Sequence, residues 1–332
     1  MLSVWGQFFI CIGVIWAAGV RLSRYGDVIA ERAGLSRSWV GLLLLATVTS
    51  LPELVTGISA VALAQVPDIA VGNILGACVF NLTLIVLLDF LHRGESVYTR
   101  ASQGHILSAG FGVIMIGFLG FNLLVAERGA ALAIAHLGIY NPVMALLYFL
   151  ALRTVFRYER AQQSALREEI ADRYPDVTLR QAAWRYGLAG LVVIGAGIWL
   201  PFIGEQLGAV MGWHATFVGT LFIALATTFP EMVVTVTALR LGALDMAIGN
   251  LFGSNLFNMV ILVVDDAFFL PGPILAHVSP LHAVSAVSAM MMTGVAVIGL
   301  LYRPATRLFG VVGWLSLALL TLYILNALML FL

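Results

Sequence analysis

Apolar runs recur along the whole chain, separated by short polar segments rich in Arg. Most are close to the roughly 20 residues a helix needs to cross a hydrocarbon layer of about 30 Å. Ten can be marked, at 4 to 22, 39 to 64, 69 to 90, 103 to 124, 130 to 152, 184 to 204, 215 to 239, 246 to 264, 281 to 302 and 307 to 330. The pattern predicts an all-α integral membrane protein with ten transmembrane helices. The first run, Val4 to Val20, has no charged residue ahead of it and flows into an Arg-rich segment, so it is read as helix 1 and not as a secretory signal. A long polar stretch, 153–183, mixes Arg with Glu159, Glu168, Glu169 and Asp172 and has a turn signal at Pro175. It reads as a partly helical cytoplasmic connector between two five-helix halves, 1–152 and 184–332.

Composition agrees with that pattern. Of 332 residues, 61% are hydrophobic and 10% charged, against roughly 25% charged in a soluble domain. The net charge of zero excludes a strongly basic nucleic-acid binder. Cys11 and Cys78 both lie inside apolar runs, which excludes a disulfide framework. Cytoplasmic loops retain positive charge, and the Arg residues segregate. Arg21, Arg24, Arg32 and Arg37 fall in loop 1-2, and Arg93 and Arg100 in loop 3-4. Arg153, Arg157, Arg160, Arg167, Arg173, Arg180 and Arg185 fall in loop 5-6, Arg240 in loop 7-8, and Arg303 and Arg307 in loop 9-10. Only Arg128 is left for the other side, which predicts N- and C-termini outside.

An internal repeat gives the chain its organisation. ATVTSLPELVT at 46–56 answers ALATTFPEMVV at 224–234, and PDIAVGNILGACVFNLTLIV at 67–86 answers LDMAIGNLFGSNLFNMVILV at 244–263. Pro52 and Glu53 map onto Pro230 and Glu231, while Asn73, Asn81 and Asp89 map onto Asn250, Asn258 and Asp266. Five helices per half is an odd number, so the copies enter the membrane from opposite faces. Such inverted repeats place a substrate site at mid-depth between the halves.

Both Glu53 and Glu231 fall near the middle of an apolar run, where a carboxylate is costly unless paired, protonated or hydrated. Each follows a proline, which cannot donate to the carbonyl four residues back, so the carbonyls of Val48 and Ala226 are freed within the membrane. Thr49 and Ser50 precede one Glu, Thr227 and Thr228 the other; Thr49 and Thr227 stand four residues ahead, on the same helical face. Oxygen ligands without sulfur or imidazole suit a hard cation such as Ca²⁺ or Na⁺. A purely structural polar pair would explain the carboxylates but neither the prolines nor the hydroxyls. Gly72-x-x-x-Gly76 and Gly249-x-x-x-Gly253 read as close-packing faces. Asn73, Ala77 and Asn81 share one stripe, as do Asn250, Ser254 and Asn258, with helix glue and support of the Glu pair both open. Asp68 and Asp245 read as N-terminal caps, and His136 as a packed polar residue within helix 5. Asp89, Asp265 and Asp266 fall at helix ends, where a solvated interface and an ion path are both open. The remaining histidines, His92, His105, His214, His277 and His282, show no metal-binding spacing.

The paired Ser-Leu-Pro-Glu and Thr-Phe-Pro-Glu segments, each followed by Gly-Asn-x-x-Gly and a further Asn, resemble the two alpha repeats of the sodium/calcium exchanger family. The resemblance implies an alternating-access antiporter with Ca²⁺ between Glu53 and Glu231, assisted by Thr49 and Thr227. It also implies Na⁺ sites lined by the backbone oxygens of Ala46 and Ala224, the hydroxyls of Ser50, Thr228 and Ser254, and the amides of Asn81 and Asn258. The expected setting is a prokaryotic inner membrane, with the lipid bilayer and the transported cations as partners and neither a resident cofactor nor an obligatory protein partner. The connector lacks the large calcium-sensing domains of animal exchangers. The sequence departs from the family pattern at Val48 and Ala226, where Gly is usual, at Ala77, where Ser is usual, and at Asn258, which is Asp in some members. Without a hydroxyl at 77, H⁺/Ca²⁺ exchange is the alternative to Na⁺/Ca²⁺ exchange. No His-Glu-x-x-His, Gly-x-Gly-Asp or paired intramembrane nucleophile and base points to an enzyme, and a passive channel would not need the two Pro-Glu breaks.

Overall fold

The structure, a computed structural model, describes residues 2–32, 46–92, 96–130, 132–163, 177–240, 242–304, 306–308 and 312–332. Arg37, Arg93, Arg167, Glu168, Glu169, Asp172, Arg173 and Pro175 lie outside the described residues, as do the side chains of Arg32, Glu159 and Arg160.

The chain is mostly helical. The helices run α1 (Leu2–Arg32), α2 (Ala46–Thr49), α3 (Leu51–Ser59), α4 (Pro67–Leu91), α5 (Val97–Arg100), α6 (His105–Glu127), α7 (Tyr140–Gln163) and α8 (Leu179–Met211). They continue as α9 (Ala215–Phe217), α10 (Ala224–Thr227), α11 (Phe229–Arg240), α12 (Leu244–Phe268), α13 (His282–Tyr302) and α14 (Trp314–Phe331). Two π-helical stretches interrupt the pattern, Ala60–Ala64 after α3 and Val218–Ile223 between α9 and α10. Among the described residues seven helices are long and apolar enough to cross a membrane, and the bent pair Ala215–Thr227 with Phe229–Arg240 makes an eighth if taken as one span. Leu51–Ala64 is a shorter apolar helix, and the run expected to contain it, 39 to 64, begins outside the described residues.

Two of the expected spans need correcting at their starts. The run at 130 to 152 begins with a hairpin, β1 (Ala133–Ile134) against β2 (Leu137–Gly138), and becomes helical at Tyr140; the run at 307 to 330 begins with β3 (Arg307–Leu308) against β4 (Val312–Gly313). Hydropathy does not distinguish an apolar hairpin from an apolar helix end. Hydrogen bonds do: Asp266 accepts from the amides of Gly138 (2.8 Å) and Ile274 (2.5 Å), from the Tyr140 hydroxyl (2.6 Å) and from the Asn141 amide. Asp89 repeats the device, accepting from the amides of Val97 (3.2 Å) and Gly313 (2.8 Å), from the Ser316 hydroxyl (2.8 Å) and from Arg307 at 3.5 Å. Both aspartates anchor loops and are saturated by donors. His136 accordingly lies in the β1–β2 turn, bonded to the Ala267 carbonyl at 3.1 Å, and not inside a helix.

α4 and α12 form the centre. They pack on each other, α4 also against α13 and the 218–223 stretch, and α12 against α3, α6 and α7. Gly72 and Gly76 make one of these approaches possible, because a Cβ at Gly76 would overlap the Thr220 carbonyl oxygen. The polarity of the molecule is that of a protein dissolved in lipid. Phe9, Trp16, Phe121, Phe149 and Leu191 are exposed on the outside, while Thr49, Glu53, Asn73, Asn250 and Glu231 are buried. In hydrocarbon this arrangement satisfies polar groups internally.

Candidate cation site

The two Pro-Glu segments break their helices as the prolines require. α2 and α3 are separated at Ser50 (φ −87°, ψ 11°), and α10 and α11 at Thr228 (φ −81°, ψ 0°). The second break bends the chain by 46°. Pro52 and Pro230 each take the second position of the helix that follows, where a missing N–H costs little. Glu53 and Glu231 then lie in the first turns of α3 and α11, close to helix N-termini that favour negative charge. Both acids are 1% exposed.

The hydroxyls are wired across the halves, which the spacing alone does not reveal. Ser50 Oγ donates to Glu231 Oε1 at 3.0 Å, and Thr228 Oγ1 donates to Glu53 Oε1 at 3.3 Å. Thr227 also lies beside Glu53, and Thr49 beside Glu231. The spacing sets each threonine four residues ahead of its own Glu, and the fold adds what spacing does not show: each half supplies hydroxyls to the other half's acid. The cause is the antiparallel meeting of the two breaks, which sets the residues before one proline against the carboxylate after the other.

The remaining predicted residues, Ala46, Ala224, Asn81, Asn258 and Ser254, are all buried. The Ala224 carbonyl accepts from Thr227 Oγ1 (3.2 Å) and Thr228 Oγ1 (2.7 Å), and the Ala46 carbonyl from Thr49 Oγ1 (3.3 Å). Asn81 and Asn258 meet the opposite half through two residues that the sequence reading passed over. Asn81 Nδ2 donates to Asn255 Oδ1 (3.0 Å), Asn255 Nδ2 to the Cys78 carbonyl (3.3 Å), and Asn258 Nδ2 to Cys78 Sγ (3.7 Å). Cys78 and Asn255 are themselves equivalent by the repeat offset, which was the available signal. Asn73 Oδ1 accepts from Thr227 Oγ1 at 2.9 Å, whereas its counterpart Asn250 donates to Thr235 Oγ1 at 3.4 Å.

Several buried oxygens of this cluster have no hydrogen-bond partner among the described residues: Glu53 Oε2, Glu231 Oε2, Asn81 Oδ1, Asn258 Oδ1 and Ser254 Oγ. Buried polar atoms are ordinarily satisfied, and these five, two on the carboxylates and three on amides and a hydroxyl, are all oxygens, the ligand type a hard cation takes. No group of three or more His, Cys, Asp or Glu converges on a metal-binding geometry among the described residues. The acids come as a pair, with hydroxyls and amides completing the set.

Asp68 and Asp245 do not cap their own helices. Asp68 Oδ1 accepts from the Ser279 amide (2.7 Å), His282 Nε2 (2.9 Å) and Thr216 Oγ1 (3.4 Å), and Asp245 Oδ1 from the Ser102 amide (2.7 Å) and His105 Nε2 (3.0 Å). They are cross-half clamps, and His105 and His282, which fit no metal spacing, are their partners.

The profile of the sodium/calcium exchanger protein family matches residues 3–156 and 182–332. Inner membrane protein YrbG of Escherichia coli is 27% identical over 267 residues, 79% of this chain and 78% of that protein. Sodium/calcium exchanger MaX1 of Methanosarcina acetivorans is 26% identical over 274 residues, 74% of this chain and 77% of that protein. Among solved structures, the sodium-calcium exchanger NCX_Mj superposes with a TM-score of 0.61 at 19% identity, covering 98% of each chain. The H⁺/Ca²⁺ exchanger CAX superposes with a TM-score of 0.69 at 14% identity, covering 98% of this chain and 82% of that one. These two likenesses are of fold.

Proposed function

Because the chain belongs to the sodium/calcium exchanger family, we propose that it is a cation antiporter that exchanges Ca²⁺ against Na⁺ by alternating access. Glu53 and Glu231 neutralise one Ca²⁺ or several monovalent ions, with Thr49 and Thr227 assisting and Ser50, Thr228, Ser254, Asn81, Asn258 and the carbonyls of Ala46 and Ala224 completing the oxygen shell. The observation that carries the reading is the pair of free carboxylate oxygens, Glu53 Oε2 and Glu231 Oε2, buried beside hydroxyls donated from the opposite half. Two buried like charges are costly to move empty, so the bundle rocks only when loaded and transport is obligatory exchange. With three Na⁺ per Ca²⁺ one charge crosses per cycle, which is worth about 2.3 kcal/mol per 100 mV.

Ten spans arranged as two inverted five-helix repeats, 1–152 and 184–332, joined by the 153–183 connector, place this site between the halves. The crossed bonds at a constant offset, Asp68–His282 with Asp245–His105, support that symmetry. The Arg partition supports termini outside in a prokaryotic inner membrane, and no protein partner or resident cofactor is needed for the cycle.

Proton coupling is the second reading. It is favoured by Ala77, which offers no hydroxyl where the second half has Ser254; protons can use the same carboxylates without a Na⁺ ligand there. Calcium uptake into proteoliposomes, driven in parallel by a Na⁺ gradient and by a pH gradient, separates the two. Uptake that follows the pH gradient alone overturns Na⁺ exchange.

A further inference from the structure

Resting on the antiport reading, we propose that Asp265 is a third acidic cation ligand, a waypoint between the Glu53–Glu231 pair and the membrane face at which α12 ends. Asp265 is 0% exposed, and neither of its carboxylate oxygens has a hydrogen-bond donor among the described residues. Its neighbour Asp266 is saturated by four donors, so the lack is specific to Asp265. A buried carboxylate without a partner is costly and is neutralised by a proton or by a bound cation.

Its surroundings connect it to the site. The carboxylate lies against Gly57, where a Cβ would overlap both of its oxygens. Gly57 is four residues after Glu53, one turn further along the same face of α3. On α12 itself, Ser254, Asn258 and Asp265 fall on one stripe, since eleven residues at 100° each return to within about 20° of the start. Ser254, Asn258 and Asp265 each carry a free buried oxygen, with the apolar Ile261 on the same stripe between the last two. Asp265 stands roughly 10 Å beyond Asn258 and about one turn short of Phe268, at a rise of 1.5 Å per residue. The equivalent stripe on α4 reads Ala77, Asn81 and Leu88 and has no acid at the outer position. The waypoint therefore serves one face only, the one opposite Arg240 at the end of α11.

The test uses the whole protein reconstituted in vesicles of one orientation, with the half-saturating Ca²⁺ concentration measured from each face. Wild type is compared with Asp265→Leu, the residue at the equivalent position, and with the isosteric Asp265→Asn; melting temperatures in detergent report folding. Asp265→Leu is expected to raise half-saturation at the Phe268 face by about tenfold or more, the loss of one charged ligand. The opposite face stays within about twofold, and Asp265→Asn falls between. If Asp265→Leu melts early, the Asn variant carries the same comparison. Equal shifts at both faces, no shift at either, or a change confined to the response to pH overturns the waypoint while leaving the pair intact. Wild-type vesicles that exchange no cation under any gradient overturn the antiport reading itself, and the waypoint with it.

Discussion

The first broken segment, Thr49 to Gly57, and the second, Thr227 to Thr235, hold the same acid after the same proline, yet their surroundings differ. The first half sets Gly57, Ala77 and Leu88 where the second sets Thr235, Ser254 and Asp265. The shared features are a break, a carboxylate, and a hydroxyl handed to the other side. The unshared features lie one turn beyond each acid, on α3 and α11, and along α4 and α12. The repeat is kept at the crossed acid–hydroxyl pair and relaxed around it.

The largest effect tests the shared part. Glu53→Gln and Glu231→Gln should each lower gradient-driven Ca²⁺ uptake by about two orders of magnitude or more, because removing one partner of a buried charge assembly costs about 3–5 kcal/mol. The double variant should be little worse than either single, since the acids act as one unit. An isotope-flux assay in proteoliposomes in which one single variant keeps more than about a tenth of the rate would break the equivalence of the halves.

The clamps differ next. Asp68 accepts three donors and its side chain is 29% exposed, while Asp245 accepts two and is 57% exposed. Asp68→Asn should destabilise the fold by about 1.5–3 kcal/mol, the range for hydrogen bonds to a charged group. Asp245→Asn, nearer water, should cost about 0–1 kcal/mol. Denaturant melts in detergent that rank them in reverse would show that exposure does not govern these ties. A similar contrast holds at the Gly57 position. Gly57→Ala forces a methyl group onto the Asp265 carboxylate and should cost about 1–3 kcal/mol by overpacking. Combining it with Asp265→Ala should recover most of that loss, whereas Thr235→Ala in the other half relieves no clash and instead removes the acceptor of the Asn250 amide.

What the sequence makes legible follows from what repeats within it. The acids, the prolines and the hydroxyls stand at a constant offset, which marks two equivalent segments. Which hydroxyl serves which acid is a property of how the two segments meet, and the spacing within a single helix does not show it. The clamps Asp68–His282 and Asp245–His105 repeat at an offset one residue shorter, yet each residue alone looks like a cap or a loop histidine. The hairpins before α7 and α14 escape hydropathy because their residues are as apolar as the helices they precede. They are set by Asp266 and Asp89, each more than 40 residues away in sequence from the hairpin it holds.

The smallest expected effect tests the difference at 77 and 254. Both positions are fully buried on the central stripes, one as a methyl group and the other as a hydroxyl whose oxygen is free. If that hydroxyl is a Na⁺ ligand, Ala77→Ser supplies the missing counterpart and should lower the half-saturating Na⁺ concentration by about three- to tenfold, one neutral ligand being worth about 1 kcal/mol. Ser254→Ala should raise it by a similar factor. Neither change should alter uptake driven by a pH gradient, because protons settle on the carboxylates and need no hydroxyl. Measuring Na⁺ dependence and pH dependence on the same vesicles therefore separates the roles of the two stripes: a shift in the Na⁺ curve alone assigns the asymmetry to ion coupling, and a shift in neither assigns it to packing.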